Sequence, residues 1–166
     1  YIGARPALAG KPRPALELAL PLLLGGARLA GGEDEAALAR RFGTTTLEAL
    51  ISQAGRGRSR TLSCTMGRNE SLQQALARLT DEAVAAVRHG VRILLLDDSG
   101  AFAPLQGFLD PFLVVAVLHK ALKETVGEEG RSLRRNASIL VRSGALRNLH
   151  DLIFAKGMGA DALCPY

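Results

Sequence analysis

The sequence is poor in the residues that announce a reactive site. It has no tryptophan, an aromatic share of only 4%, and two cysteines in 166 residues. Two cysteines exclude a disulfide-stapled fold, and no spacing links them to the three scattered histidines as a four-ligand zinc site would require. Long apolar runs are also missing. The longest candidate, residues 108–122, is interrupted by Asp110, His119 and Lys120, so no membrane span is expected. No signal peptide is visible, which suggests a cytoplasmic location. A start at Tyr1 rather than methionine suggests a piece of a longer chain.

What is present is a globular composition. Apolar residues make up 48%, enough to build a core and to argue against wholesale disorder. The net charge is +5, from 21 basic and 16 acidic residues. The basic stretch Gly55-Arg56-Gly57-Arg58-Ser59-Arg60 could meet phosphates nonspecifically. It has no aromatic platform, so a solvated linker is the better account and nucleic acid is an outside reading.

The first third is broken by Pro6, Pro12, Pro14 and Pro21 and by two glycine pairs, and residues 1–32 read as an extended wrapping arm. Residues 33–41 read as a helix whose charges match its dipole. A second short helix is expected over 46–53, with a threonine hydroxyl of residues 44–46 as its cap.

From residue 61 the pattern is regular. Strands are expected over 61–65, 92–96, 137–142 and 161–163. Helices are expected over 70–89 capped by Asn69, 111–125 opened by Asp110-Pro111, and 145–156 stopped by Gly157. The alternation predicts an α/β fold of four parallel strands with covering helices after an irregular arm, either an open sheet or a partial (β/α) barrel. The division expected is 1–60 for the arm and 61–166 for the α/β domain.

In such folds function collects at the carboxyl ends of the strands. Those ends hold Thr65, Met66, Asp97, Asp98, Ser99, Arg142, Ser143 and Cys164. Asp97 and Asp98 could hold magnesium or act as a base, but neighbouring strand residues point opposite ways. The favoured expectation is that one caps the following loop and the other is solvated. Gly157-Met158-Gly159-Ala160-Asp161-Ala162 imitates a dinucleotide fingerprint, but it follows a helix instead of a strand and is rejected. Cys64 and Cys164 read as buried core thiols. His89, His119 and His150 fall on separate helices and read as bonding nearby carbonyls, His89 also suiting a helix end. Arg134-Arg135 reads as an exposed loop before a strand.

The segment ASILVRSGALRNLHDLIFAKGMGADALCPY, residues 137–166, resembles part of the glutamate synthase large subunit. The matching positions include Ser143-Gly144, Arg147, His150, Gly157, Gly159-Ala160 and Pro165-Tyr166. Upstream, Glu82-Ala83, Gly90, Ile93-Leu94-Leu95, Asp98, Pro111 and Val117-Leu118-His119 are similar to the same family. The family pattern differs in pairing histidines near Lys120 and Asp151 and in placing an arginine at Ser99. The resemblance is to the central domain, between the glutamine amidotransferase and FMN-binding domains.

That resemblance implies a structural, non-catalytic domain that helps wall an ammonia passage. Its partners would be the adjacent amidotransferase and FMN-binding domains of the same chain. FMN and an iron–sulfur cluster are implied for the parent enzyme and none within these residues. Thr65, Met66 and Ser99 are the implied passage lining. Two alternatives remain open: a ligand-binding or small-enzyme domain using Asp97, Asp98 and Arg142, and a basic module using Arg56–Arg60.

Overall fold

A computed structural model describes residues 18–25, 34–127 and 130–166. Most of the expected wrapping arm therefore lies outside the described residues.

Among the described residues, five helices and six strands follow in order: α1 (Glu35–Arg41), α2 (Leu47–Ala54), β1 (Ser59–Ser63), β2 (Thr65–Met66), α3 (Leu72–Arg88), β3 (Ile93–Asp97), β4 (Gly107–Phe108), α4 (Pro111–Glu124), β5 (Ser138–Ser143), α5 (Leu149–Met158) and β6 (Ala162–Pro165). Short 3₁₀ turns cover Ser99–Phe102 and Leu133–Arg135. The local reasons are those expected from capping chemistry. Asp34, Thr46 and Asp110 accept amide hydrogens at the starts of α1, α2 and α4, and Pro111 occupies the first turn of α4.

Several boundaries differ from expectation. The first strand covers Ser59–Ser63 rather than 61–65, and Thr65 belongs to the separate β2 because the chain leaves the main sheet at Cys64. Helix α3 is capped by Ser71 rather than Asn69, because Ser71 and Gln74 form a reciprocal capping box. Helix α5 starts after Asn148, whose side-chain Oδ1 accepts two amide hydrogens, rather than at 145. It ends at Gly159 instead of Gly157. Gly159 has φ +121°, a conformation that favours glycine, whereas Gly157 continues the helix. The short antiparallel ribbon β2–β4 was not legible in sequence, since two-residue strands carry no periodicity.

The main sheet is parallel with order β1-β3-β5-β6. Strand order equals chain order, so the direction of winding never reverses. Crossovers of one hand then deposit every connecting helix on one face. Buried residues of α3 (Ala75, Leu79, Ala83), α4 (Val114, Leu118, Leu122) and α5 (Ala155) accordingly pack with Leu94, Leu96, Ile139 and Val141 in one cluster. This is the arrangement of a barrel segment, but the described strands form an open sheet.

The opposite face carries Ile93, Leu95, Leu140, Ala162 and Cys164, and it is covered by Leu47 and Leu50 of α2 and by Leu23. Leu22 bridges Leu163 in parallel, and Leu23 donates its amide hydrogen to the Leu163 carbonyl at 2.7 Å. The described part of the arm thus satisfies the open edge of β6, where backbone groups would otherwise stay unpaired. Leu24 in turn bridges Thr46, tying the arm to the cap of α2.

Candidate functional site

The carboxyl ends of β1, β3 and β5 lie side by side because the register pairs Ser63 with Asp97 and Asp97 with Arg142. Alternation along β3 sends Ile93 and Leu95 toward α2, and Asp97 follows them. Leu94 and Leu96 face the other helices, and Asp98 continues that side. The two carboxylates have separate partners.

Asp97 accepts from the Ser99 amide at 2.8 Å and from Arg142 Nη1 at 3.0 Å. Burial pushes its pKa upward, but the Ser99 hydroxyl and amide and the Arg142 guanidinium outweigh that and hold it below the ordinary value. The expectation that one aspartate caps the loop is met by Asp97. The expectation that the other is solvated is not. Asp98 is 3% exposed and accepts from the Ser143 hydroxyl and the Tyr166 hydroxyl, each at 2.5 Å. A carboxylate driven into the interior needs such donors, and β5 and the end of β6 supply them. Burial, then the bond to Asp98, raises the Tyr166 phenol well above its usual range, so it remains a donor. The Arg142 guanidinium stacks over the Tyr166 ring with 4.5 Å to the centroid.

Thr65 and Met66 are half-buried on β2, opposite Phe108 and Gly107 of β4. The Thr65 hydroxyl lies 3.1 Å from that of Ser63, and both side chains border Gly100, where a Cβ would stand 3.2 Å from the Ser63 hydroxyl and 3.3 Å from the Thr65 methyl. Ser99 is exposed. Thr65, Met66, Asp97, Asp98, Ser99 and Arg142 therefore share one end of the sheet, and Asp97 and Arg142 touch. Missed in sequence were Ser143 and Tyr166 as the partners of Asp98, and an apolar rim.

That rim surrounds a groove of about 560 Å³ lined by Asp98, Ala101, Phe102, Phe108, Asp110, Phe112, Gly144, Ala145 and Arg147. Phe102 is 80% exposed and Phe108 52%. Phe112 meets Phe154 of α5 edge to face at 5.5 Å, which continues the apolar surface onto that helix. Leu105, also exposed, adopts φ +64°, an uncommon backbone state for leucine. Runs of exposed aromatics of this kind mark surfaces that are covered by something else.

A chain similarity decides the family. Residues 2–166 match the model of the glutamate synthase central domain. The chain belongs to the glutamate synthase central domain family. Over 101 residues, 60% of this chain, it is 36% identical to the ferredoxin-dependent glutamate synthase of rice chloroplasts. It is 34% identical over 98 residues to the large chain of the NADPH glutamate synthase of Bacillus subtilis, and 35% identical over 99 residues to a ferredoxin-dependent glutamate synthase of Synechocystis. The matched stretch covers 6% of the length of each of these relatives.

Cys64 and Cys164 are buried, and burial pushes their thiols up to about 12 and about 11. Two separate, protonated cysteines do not fit an iron–sulfur cluster, which takes four sulfur ligands.

Arg134 overturns its sequence reading. It is 3% exposed, not part of an exposed loop, while its neighbour Arg135 is exposed as expected. Its guanidinium donates to the carbonyls of Ala137 and Gly159, both at 2.7 Å, to Asp161 at 2.8 Å and to His119 Nδ1 at 3.2 Å. His119 therefore accepts a hydrogen bond from Arg134 at Nδ1 instead of using that atom on a backbone carbonyl. His89 does reach one, placing Nδ1 2.8 Å from the Ala85 carbonyl. Among the described residues, no group of three or more metal-ligating side chains converges, and no helix is long and apolar enough to cross a membrane.

Proposed function

We propose that this chain is the non-catalytic central domain of a glutamate synthase-like oxidoreductase that makes glutamate from glutamine and 2-oxoglutarate. In this reading its strand-end face packs against the amidotransferase and FMN-binding domains of the same polypeptide. It thereby walls a passage for ammonia and serves ammonia assimilation without a local reaction. FMN and the iron–sulfur cluster belong to the neighbouring domains.

The observation that carries the reading is the character of the strand ends. A passage for neutral ammonia needs a weakly polar wall, because an open carboxylate would hold the molecule as ammonium. Here Asp97 is neutralised by Arg142, and both oxygens of Asp98 are engaged by hydroxyls. Around them stand Thr65, Met66 and the exposed phenylalanines, a surface suited to burial against another domain, with the exposed charges of Asp110 and Arg147 on the same groove wall. A ligand site built on Asp97 and Arg142 would first have to part that pair. The basic-module reading loses two of its arginines to internal partners: Arg60 bonds Glu82 and Arg58 bonds the Gly90 carbonyl.

The test is Thr65→Trp in the intact polypeptide. Glutamine-driven glutamate synthesis is expected to fall at least about tenfold, the cost of misplacing a transferred reactant. Free ammonia should accumulate, and synthesis from added ammonium should stay within about twofold. Undiminished glutamine-driven synthesis would refute the passage role.

A further inference from the structure

Where the strands of the main sheet begin, a cavity of about 560 Å³ is walled by Arg88, Arg92, Arg131 and Asn136 over the buried apolar Val87 and Leu133. Arg92 stands one residue before β3, Asn136 two before β5, and Arg88 closes α3. Among the described residues that line the cavity there is no acid. Arg92 is half-buried and pinned. Its amide donates to the Arg58 carbonyl at 2.7 Å, its carbonyl accepts from the Ser138 amide at 2.9 Å, and its Nη1 donates to the Asn136 carbonyl at 3.2 Å. The rest of that planar fork has no partner among the described residues. Arg88 is exposed and has no hydrogen bond or ion pair among them. It is not needed to cap α3. The carbonyls of Ala85, Ala86 and Val87 already accept from the amides of His89, Val91 and Gly90, and the Gly90 carbonyl accepts from Arg58. The side-chain amide of Asn136 is likewise unbonded among the described residues, and its nitrogen faces Gly127, a lining residue whose Cβ would stand 4.0 Å away.

We propose that this cavity binds a small multivalent oxyanion, one that carries carboxylate or phosphate groups. Guanidinium forks match both groups in geometry and are weakly hydrated, so they give up water to an oxyanion readily. Arg88 and Arg92 supply the charge, the Asn136 amide supplies a neutral donor, and Val87 and Leu133 offer a base for a short carbon stem. Guanidinium groups gathered on one cavity repel each other, and an anion of two or more charges relieves that repulsion. The volume is that of an ordinary small-molecule site. The cavity lies at the other end of the sheet from Asp97 and Asp98, so this inference does not depend on the ammonia reading.

Amide hydrogen exchange of the intact polypeptide reads occupation locally, in residues 87–92 and 130–136. Citrate and inorganic phosphate are the probes, each titrated at an ionic strength held constant with sodium chloride. At least one should slow exchange in both segments, with a dissociation constant of about 1 mM or lower, and the stronger of the two names the class of oxyanion. Arg88→Gln, which breaks no internal bond, should weaken that binding about tenfold, as for loss of one charge-assisted hydrogen bond. Arg68→Gln makes the same change of charge on the loop after β2 and should leave binding within about twofold. No slowing by either probe up to about 20 mM would overturn the proposal. So would equal weakening by Arg68→Gln and Arg88→Gln, which would reduce the effect to net charge. Binding that appears only when Glu128→Gln and Glu129→Gln are both present would overturn it too, because those carboxylates would then already serve the arginines. Slowing by hexaglutamate but by neither small anion would replace the small ligand with an acidic peptide and overturn the proposal as stated.

Discussion

Replacing Arg134 with methionine tests how the sheet is locked to α4 and to the turn before β6. Methionine fills the aliphatic stem and deletes the fork. The side chain of Arg134 is 4% exposed and that of Asp161 11%, so the pair is shielded from solvent. Removal strips hydrogen bonds from two backbone carbonyls and takes the guanidinium from Asp161, whose Oδ2 still receives the Ile139 amide at 2.8 Å. Breaking one side of a buried ion pair costs about 3–5 kcal/mol. At about 2–4 °C per kcal/mol for a chain of this size, Tm should fall by roughly 6–20 °C. Arg135→Met, one residue away but exposed, should stay within about 0.5 kcal/mol. Thermal melts followed by circular dichroism compare the two directly. Adding Asp161→Asn to Arg134→Met should recover part of the loss, since the amide oxygen still accepts from Ile139 and the buried charge is gone. Equal melting temperatures for the two single variants would refute the assignment of Arg134 as a buried cross-link.

Gly157 inside α5 and Gly159 at its end should respond oppositely to alanine. A Cβ on Gly159 would stand 2.4 Å from His119 Nδ1 at φ +121°, so Gly159→Ala should lose at least about 2 kcal/mol in denaturant unfolding, whereas Gly157→Ala, helical and with open space around it, should gain about 0.5–1 kcal/mol. The side chain of Arg78, then the amide of Gly67, hold the Glu70 carboxyl down at about 2, against an ordinary value of 4.5. Because the folded value is the lower one, the stabilisation by this pair is present above about 4.5 and is lost as pH falls toward about 2, which a carboxyl titration by NMR with and without Arg78→Met would show.

Much of this domain is dictated locally. The helices of the α/β core were legible because apolar residues recur at helical spacing and caps stand at their starts, as with Asp110-Pro111 before α4. The three central strands were legible as compact apolar runs ending in polar turns, and alternation alone separated Asp97 from Asp98. Parallel pairing followed from the alternation of strands and helices, whereas the order of strands across the sheet did not, since the same alternation also builds sheets whose winding reverses. Family membership was carried by side chains that turns and packing require, such as Gly159 against His119.

What the sequence could not determine was every feature built from residues far apart in the chain. Asp98 and Tyr166 are separated by 68 positions and Arg134 and Asp161 by 27, so no local pattern announces their bonds. Burial of a charge is decided by which partners the fold delivers, and a carboxylate or guanidinium reads the same in sequence whether solvated or enclosed. The exposed rim of Phe102 and Phe108 has the same origin. An apolar residue is assigned to a core by composition, and only the tertiary arrangement leaves it facing outward, because the sheet beneath is already filled.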